Sequence, residues 1–268
     1  ECLVVVDHNE ELLARAREEL SSWATVLPST GQKGLSGARN TGVEAARGDV
    51  VAFLDDDAVA DPDWTVRLLE PYSDPVVLGV GGWADPEWLD GAPSWFPEEF
   101  LWVVGCSYRG LPTATAPVRN LIGCNMSVRR DVLVEVGGFD VGLGRTADRP
   151  LGCEETELCI RATDLHPEGR FVLEPRARVR HKVPAGRGTW SYFRDRCRAE
   201  GVSKAWVATR VGSDSALSSE RAHTMKVLPL GMLRALGSIR PNDLSGVARA
   251  EAIVAGLGYT ATSYLLEA

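Results

Sequence analysis

Long hydrophobic runs and paired cysteines are both missing from this sequence. Two apolar segments near its end, residues 227–236 and 252–266, are shorter than the roughly 18 residues that a membrane-spanning helix needs. The chain opens inside an apolar stretch that lacks the pattern of a signal peptide. Its six cysteines form no C-x-x-C pair, which argues against a zinc site and against a disulfide framework. These absences favour a reducing, cytoplasmic setting.

Positive charge is also in short supply. Lysine and arginine number 29 against 37 aspartates and glutamates, and the formal net charge is −8. Because binding to duplex nucleic acid relies on an excess of basic side chains, we exclude nucleic acid as the main partner. An acidic protein that handles an anionic nucleotide needs a metal ion or a local basic patch. The length of 268 residues and the hydrophobic content of 44% fit one large globular domain with an appendage.

The most informative stretch is 48–63, GDVVAFLDDDAVADPD. The apolar run Val50–Leu54 predicts a buried strand, and it ends directly in Asp55, Asp56 and Asp57. Open α/β sheets bind ligands at the carboxyl ends of their strands. Adjacent carboxylates repel one another unless a cation such as Mg²⁺ or Mn²⁺ neutralises them. The stretch therefore indicates either a site for a metal and a phosphate or a solvated acidic loop.

A glycine-rich loop, residues 31–40 (GQKGLSGARN), precedes a helix predicted over 37–46. Backbone N–H groups at a helix start can hold an anion, and Lys33 and Arg39 add positive charge. The loop is not a Walker A sequence, because the G-K-[ST] ending is missing, and it just misses the G-x-S-x-G nucleophile elbow. An anion-binding turn and an ordinary helix-entry turn both fit this pattern.

A second acidic group opens a helix predicted over 152–164. Glu154 and Glu155 stand in its first turn, where the helix dipole stabilises negative charge whatever the function. The functional alternative is a general base beside the metal. Neighbouring carboxylates raise each other's pKa and the helix N-terminus lowers it, so the pattern does not decide which effect is larger. His181 closes a short predicted strand among basic neighbours, where a structural role and a site role are both open.

Strands and helices alternate through residues 1–210 and predict an α/β domain, with a mostly parallel central sheet and helices on both faces. Residues 83–117 interrupt the alternation with four tryptophans, which either stack on sugar rings or fill the core beneath a long loop. Residues 211–268 are predicted as a serine-rich linker followed by helices. The two apolar segments there either lie at a membrane interface or pack on the domain as a helix pair.

Five stretches follow one another in an order typical of a known family: VVVDHN (4–9), GLSGARNTGVEAARGD (34–49), FLDDDAVADPDW (53–64), NMSVRRDVLVEVGGFD (125–140) and GCEETELCIR (152–161). Together they resemble glycosyltransferase family two, the inverting nucleotide-sugar transferases with the GT-A (Rossmann-like) fold. The third stretch is similar to the D-x-D strand of that family, with Asp55 and Asp57 in the paired positions. The last is similar to its acidic pair, here Glu154 and Glu155. The resemblance covers roughly residues 1–200.

The resemblance implies a metal-dependent, inverting enzyme of the hexosyltransferase type, which moves one sugar from a nucleotide sugar to an acceptor hydroxyl. The donor that we expect is a UDP-sugar. Asp57 and Asp55, with His181 as a further contact, would hold Mg²⁺ or Mn²⁺ against the diphosphate. Glu155, beside Glu154, would take the proton of the acceptor hydroxyl. The residues implied to hold the nucleotide are Asp7, Lys33, Gly34, Arg39, Asn40, Asp55 and Asp56.

The sequence departs from the family pattern in three places. The acidic pair is Glu-Glu where the family usually has Glu-Asp, so the predicted base is one methylene longer. The Q-x-x-R-W motif of processive synthases is absent, which favours transfer of a single sugar. The family's first strand and helix have no counterpart, so we expect about 30 residues, one strand-plus-helix unit, to be missing before Glu1.

The sequence pattern VVDHN…GLSGARNTG…DDDA is similar to the patterns of prokaryotic enzymes that glycosylate lipid-linked or small acceptors. We therefore expect a sugar, lipid-linked or small-molecule acceptor, with the C-terminal helices in contact with the inner face of the cell membrane. Two alternatives stay open. One is a sugar-phosphate nucleotidyltransferase, and the other is a non-catalytic module that binds a nucleotide sugar or a membrane.

Overall fold

A computed structural model describes residues 1–145 and 151–268, apart from the side chains of residues 213–216 and 218. The strands in these ranges are β1 (Leu3–Val6), β2 (Thr25–Pro28), β3 (Val50–Leu54), β4 (Ala58–Ala60), β5 (Val77–Trp88), β6 (Ala116–Val118), β7 (Asn125–Arg129) and β8 (Arg170–Val183). The α-helices are α1 (Glu10–Leu20), α2 (Leu35–Ala45), α3 (Trp64–Leu69), α4 (Arg130–Glu135), α5 (Glu154–Leu165), α6 (Trp190–Val211), α7 (Ser213–Ala222), α8 (Leu228–Gly237) and α9 (Ser245–Glu267). Short 3₁₀ turns lie at Glu70–Ser73, Glu98–Val104 and Ala185–Gly188, and a π-helical turn lies at His223–Val227.

The described strands form two sheets. Strands β1 and β2 make a parallel pair, and the larger sheet has the order β3-β7-β5-β8-β4, with β6 also paired to β8. The α/β class is confirmed, but the pairing in the larger sheet is mixed. Only β5 and β8 run parallel in it, whereas its other four pairs are antiparallel. The mostly parallel sheet was expected from alternating elements, but hydrophobic patterns do not report strand direction, and the long segment between β5 and β7 returns the chain antiparallel.

Helices cover both faces of the larger sheet, as predicted. Phe171 and Val172 are consecutive in β8 and therefore point to opposite faces. Phe171 packs in a core with Leu133 of α4 and Leu158 of α5. Val172 packs on the other face with Leu68 of α3. The β3 sequence VVAFL suits this position, since β-branched and aromatic side chains fit a pleated, half-buried surface.

The first two helices begin where the sequence supplies a suitable residue. Asn9 caps α1, because its side chain accepts a hydrogen bond from the backbone N–H of Leu12 at 3.0 Å. Gly34 precedes α2 with a φ of +129°, a conformation that favours glycine. Gly37 lets the loop lie against the helix, since a Cβ there would be 1.9 Å from the Gln32 carbonyl oxygen. The glycine-rich loop is therefore held tightly at the start of α2.

The aromatic segment and the C-terminal helices share a third core. Phe100, Phe193, Leu228 and Ile253 are buried in it, so it joins the 3₁₀ turn Glu98–Val104 to α6, α8 and α9. Three of the four tryptophans in residues 83–117 pack against this cluster, so they fill the core beneath a long loop, which was one of the two alternatives. Trp83 instead lies under the Arg178 guanidinium.

Residues Ser213–Ala222 form helix α7, where a linker was predicted. Serine-rich composition indicated a loop, but two tertiary ion pairs hold this segment: Glu220 lies 2.6 Å from Arg119 and 2.7 Å from Lys204. Such distant partners are not visible in a local pattern. None of the helices in the described ranges is both long and apolar enough to cross a membrane.

Candidate active site

Asp55, Asp57 and His181 form a compact group of metal-ligand atoms. The two aspartates lie in the turn between β3 and β4, and β4 pairs with β8 so that Ala58 stands opposite His181. One ligand atom from each of the three residues lies within 4.8 Å of the others. Carboxylate oxygens are ligands of Mg²⁺ and Mn²⁺, and imidazole nitrogen is a common ligand of divalent transition metals. The donor set therefore fits a divalent cation such as Mn²⁺.

Asp57 makes the closest contacts in this group. Its Oδ1 lies 3.0 Å from His181 Nε2, and its Oδ2 lies 3.1 Å from Arg187 Nη1. The hydrogen bond with His181 lowers the pKa of Asp57, burial opposes this effect, and Arg187 adds to the lowering. Asp57 is therefore ionised at neutral pH, the state that a metal ligand requires. His181 is buried, and its Nδ1 lies 3.7 Å from Cys106 Sγ.

A buried ion pair connects the metal-ligand group to the acidic pair on α5. Arg39 Nη1 donates to Glu154 Oε1 at 2.7 Å, and only 7% and 5% of the two side chains are exposed. Arg39 Nη2 donates to the Gly123 carbonyl at 3.1 Å and lies 3.4 Å from Asp55 Oδ1. The guanidinium, which was predicted to hold a nucleotide, is thus engaged by two carboxylates and a carbonyl of the protein.

Glu155 follows Glu154 at the start of α5 and lies in the wall of a cavity. Burial and, after it, the charge of Glu154 raise the pKa of Glu155 from its ordinary 4.5 to about 7, against the opposing charges of Lys204 and Arg39. A carboxyl group that titrates near neutral pH is well matched to accept a proton in catalysis. The two glutamates therefore differ in role, since Glu154 is bound to Arg39 and Glu155 lines the cavity.

The cavity has a volume of about 280 Å³ and connects the metal-ligand group to the acidic pair. Besides Arg39, five basic side chains line it, namely Arg119, Arg145, Arg187, Arg196 and Lys204. The positive charges of Arg196 and Arg187 lie close enough to Arg145 to repel its guanidinium. An anion in this part of the cavity would relieve that repulsion. Arg145 and Arg187 lie outside regular helices, so no periodicity in the sequence marked them.

Three predicted nucleotide residues, Asp7, Lys33 and Gly34, lie at the glycine-rich loop and do not line the cavity. Asp7 accepts a hydrogen bond from the Gly34 backbone N–H at 3.0 Å and so fixes the glycine-rich loop. Lys33 and Gly34 line a small depression beside the cavity, and Arg145 lines both.

Two further predicted nucleotide residues, Asn40 and Asp56, lie outside the cavity. The Asn40 amide pairs with the backbone of Phe139 at 2.9 and 2.8 Å, which makes it a structural contact. Asp56 is exposed and stands outside the Asp55–Asp57–His181 group.

Comparisons with known proteins identify relatives of this chain. The family model described as glycosyl transferase family 2 matches residues 1–137. A glucosyl-dolichyl phosphate glucuronosyltransferase of Haloferax volcanii is 39% identical over 207 residues, which are 76% of this chain and 66% of that protein. The succinoglycan biosynthesis protein ExoM of Rhizobium meliloti is 27% identical over 241 residues, or 82% of this chain and 73% of that protein. The chain thus spans just under two thirds of the Haloferax relative.

Solved structures show the same fold. The mannosyltransferase PcManGT of Pyrobaculum calidifontis, in complex with GDP-Man and Mn²⁺, is 16% identical with a TM-score of 0.56, over 97% of this chain and 77% of that chain. GalNAc-T7 with UDP, GalNAc and Mn²⁺ is 19% identical with a TM-score of 0.51, over 84% of this chain and 48% of that chain. The predicted GT-A fold is confirmed. Since the family model matches residues 1–137 of the 268, this chain belongs to glycosyl transferase family 2.

Proposed function

We propose that this protein is a metal-dependent, inverting glycosyltransferase that moves one sugar from a UDP-sugar to an acceptor hydroxyl. The observation that carries the proposal is a single cavity lined both by Asp55 and His181 and by Glu155. A metal-ligand group at one side and a carboxyl with a pKa of about 7 at the other are the two parts that such a transfer needs. A divalent cation held by Asp55, Asp57 and His181 would neutralise charge on the departing diphosphate.

The protein's own side chains supply the remaining steps. Glu155 takes the proton of the acceptor hydroxyl as that oxygen attacks the anomeric carbon from the side opposite the leaving group. This single displacement inverts the anomeric configuration. Arg39 fixes the position of Glu154, because a buried carboxylate that accepts a hydrogen bond from a guanidinium at 2.7 Å is held in one place. Arg145 and Arg187 lie where a diphosphate would relieve the repulsion among the basic side chains.

The Haloferax relative supports a proposal for the acceptor, since its name describes a lipid-linked sugar acceptor and transfer of a glucuronic acid. We propose a lipid-linked acceptor and a cytoplasmic enzyme at the inner face of the membrane. The surface of α8 supports contact with a membrane, since Leu230, Leu233 and Leu236 are all exposed. Lys226 and Arg240 flank this apolar row in an otherwise acidic protein, and basic groups favour anionic lipid headgroups.

Titration calorimetry tests the donor and the metal. We expect UDP to bind with Mn²⁺ present and to bind far more weakly without it. The variant Glu155→Gln should keep this binding and lose most turnover of UDP-glucuronic acid or UDP-glucose, whereas Glu168→Gln, at an exposed site, should keep both. Full turnover in Glu155→Gln would refute the assigned base. Release of pyrophosphate from a nucleoside triphosphate would instead show a nucleotidyltransferase, and binding without any turnover would show a non-catalytic module.

Sedimentation with lipid vesicles tests the membrane contact. The triple variant Leu230→Ser, Leu233→Ser and Leu236→Ser should lose binding to vesicles that contain anionic lipid. A matched triple variant at exposed apolar positions elsewhere, Leu12→Ser, Val66→Ser and Leu165→Ser, should keep it. Equal binding of the two triple variants, or no binding by the unaltered protein, would refute the contact through α8.

A further inference from the structure

The start of α5 is a strained point of the backbone. Cys153 precedes Glu154 and Glu155 with φ +69° and ψ +16°, the left-handed conformation that residues with a side chain rarely adopt. Such a conformation persists only where the surroundings hold it. The direction in which the first turn of α5 presents its two glutamates therefore depends on what holds Cys153.

Helix α6 provides those contacts. The backbone N–H of Gly152 donates to Ser203 Oγ at 3.0 Å, and the Cys153 thiol donates to Glu200 Oε1 at 3.4 Å. Ser203 and Cys153 are buried, so no bulk water competes for these bonds. Both contacts come from the same turn of α6. Glu200 therefore contacts Cys153 at the start of α5 on one side and Lys204 on the other.

A partly buried charge network connects that turn of α6 to α7. Lys204 Nζ lies 3.4 Å from Glu200 Oε1 and 2.7 Å from Glu220 Oε1. Arg119 donates to both carboxylate oxygens of Glu220, at 2.6 and 2.8 Å. Although burial raises it, the charges of Lys204 and Arg119 lower the pKa of Glu220 to about 2. Lys204 has 7% of its side chain exposed, so its ammonium group depends on these two carboxylates.

We propose that Glu220 is a positioning residue for the base: acting through Lys204 and Glu200, it holds the strained start of α5 and balances the charge that faces Glu155. This inference rests on the proposed role of Glu155. It makes α7, which lies beyond the residues matched by the family model, a part of the active site. The charges that act directly on Glu155 are those of Glu154 on α5, Lys204 on α6 and Arg39 on α2. Behind Lys204 stand its partners Glu200 on α6 and Glu220 on α7, and Glu220 also pairs with Arg119 after β6.

The sign of the effect can be worked out from the charges. Glu220→Gln removes a negative charge and leaves Lys204 less neutralised, and both changes favour ionised Glu155. Its pKa should fall, by roughly one pH unit, the size that a nearby opposite charge produces. Lys204→Gln removes a positive charge and should raise the pKa of Glu155. The double variant removes both charges and should titrate close to the unaltered protein.

Carbon-13 NMR titration of the Glu155 carboxyl, assigned by the signal that disappears in Glu155→Gln, measures these shifts without any substrate. The acid limb of kcat for hydrolysis of UDP-glucuronic acid should move with them, while KM for the donor stays within twofold. The control Glu168→Gln should change neither. Opposite shifts in the two single variants, cancelled in the double variant, support the proposal. Shifts of the same sign, or no shift in Glu220→Gln, overturn it.

Failure of the proposed function has a different signature. If Glu155→Gln keeps full turnover, Glu155 is not the base, and the NMR titration still decides whether Glu220 sets its charge. If Glu220→Gln does not fold, Lys204→Gln and Glu220→Asp carry the test, because Glu220→Asp keeps the charge and should titrate like the unaltered protein. A Glu155 titration that differs in Glu220→Asp as much as in Lys204→Gln would overturn the proposal.

Discussion

Replacing Arg39 with methionine should destabilise the protein strongly, because the change leaves Glu154 without its partner. The pair is 2.7 Å apart with 7% and 5% of its side chains exposed, so water cannot take over the hydrogen bond. Removing one partner of a buried ion pair costs about 3–5 kcal/mol. The contact with Asp55 adds little, since it is 3.4 Å long and Asp55 is 32% exposed. At about 2–4 °C per kcal/mol, the thermal midpoint should fall by about 6–20 °C.

Urea and thermal unfolding of three further variants complete the test. Glu154→Met should also be costly, and the double variant Arg39→Met with Glu154→Met should be much more stable than the sum of the single changes predicts, since both charges of the buried pair are removed together. Arg67→Met breaks a solvent-exposed pair with Asp63 and should hardly move the midpoint. Additive losses in the double variant, or an Arg39→Met loss no larger than that of Arg67→Met, would refute the assignment of a stabilising buried pair.

Three other variants test the fold and the site. Gly79→Ala should lower the thermal midpoint by overpacking, since its Cβ would lie 2.7 Å from the Phe171 ring, whereas Gly186→Ala meets nothing within 4 Å and should leave the midpoint unchanged; equal effects would contradict the packing. Burial and a neighbouring charge raise the pKa of Glu155 from 4.5 to about 7. The stability that Glu155 contributes to the folded state is therefore fully present below pH 4.5 and is lost as the pH rises through 7. Glu155→Gln should therefore gain stability over the unaltered protein between pH 5 and pH 8, by up to about 3 kcal/mol, and a gain that does not vary with pH in urea unfolding would contradict this. Asp57→Asn should abolish Mn²⁺-dependent binding of UDP in calorimetry, and unchanged affinity would show that the metal binds elsewhere.

The sequence predicted those parts of the site that lie in strong local patterns. The apolar run of β3 ending in aspartates and the acidic first turn of α5 are both readable from composition and spacing, and the structure places them in one cavity. Strand β4 is only three residues long, too short for any periodicity, yet its pairing with β8 is what brings His181 to Asp57. Sequence patterns of this kind predict which residues belong to the site. They do not predict β4, because tertiary contacts determine whether so short a segment forms a strand.

The contacts between distant segments could not be predicted in the same way. Arg39 was expected to face a ligand, because a basic residue at a helix start looks the same whether or not a buried carboxylate lies beside it. Its partner Glu154 is 115 positions further along the chain. Glu220 stood in a serine-rich stretch, and its partner Arg119 is 101 positions away. Such pairs carry no local signal, so only the folded arrangement identifies them.

The long strand β8 limits where this protein can be lengthened. It pairs with β4, β5 and β6 and carries His181 near its end. Because side chains alternate between the faces of a strand, one inserted residue before His181 would turn the imidazole away from Asp57 and present a neighbouring basic side chain instead. Gly91, with φ +86° and no atom within 4 Å of a Cβ built on it, stands in open space after β5. An engineered tag or fused domain therefore belongs at Gly91, and β8 should be left at its present length.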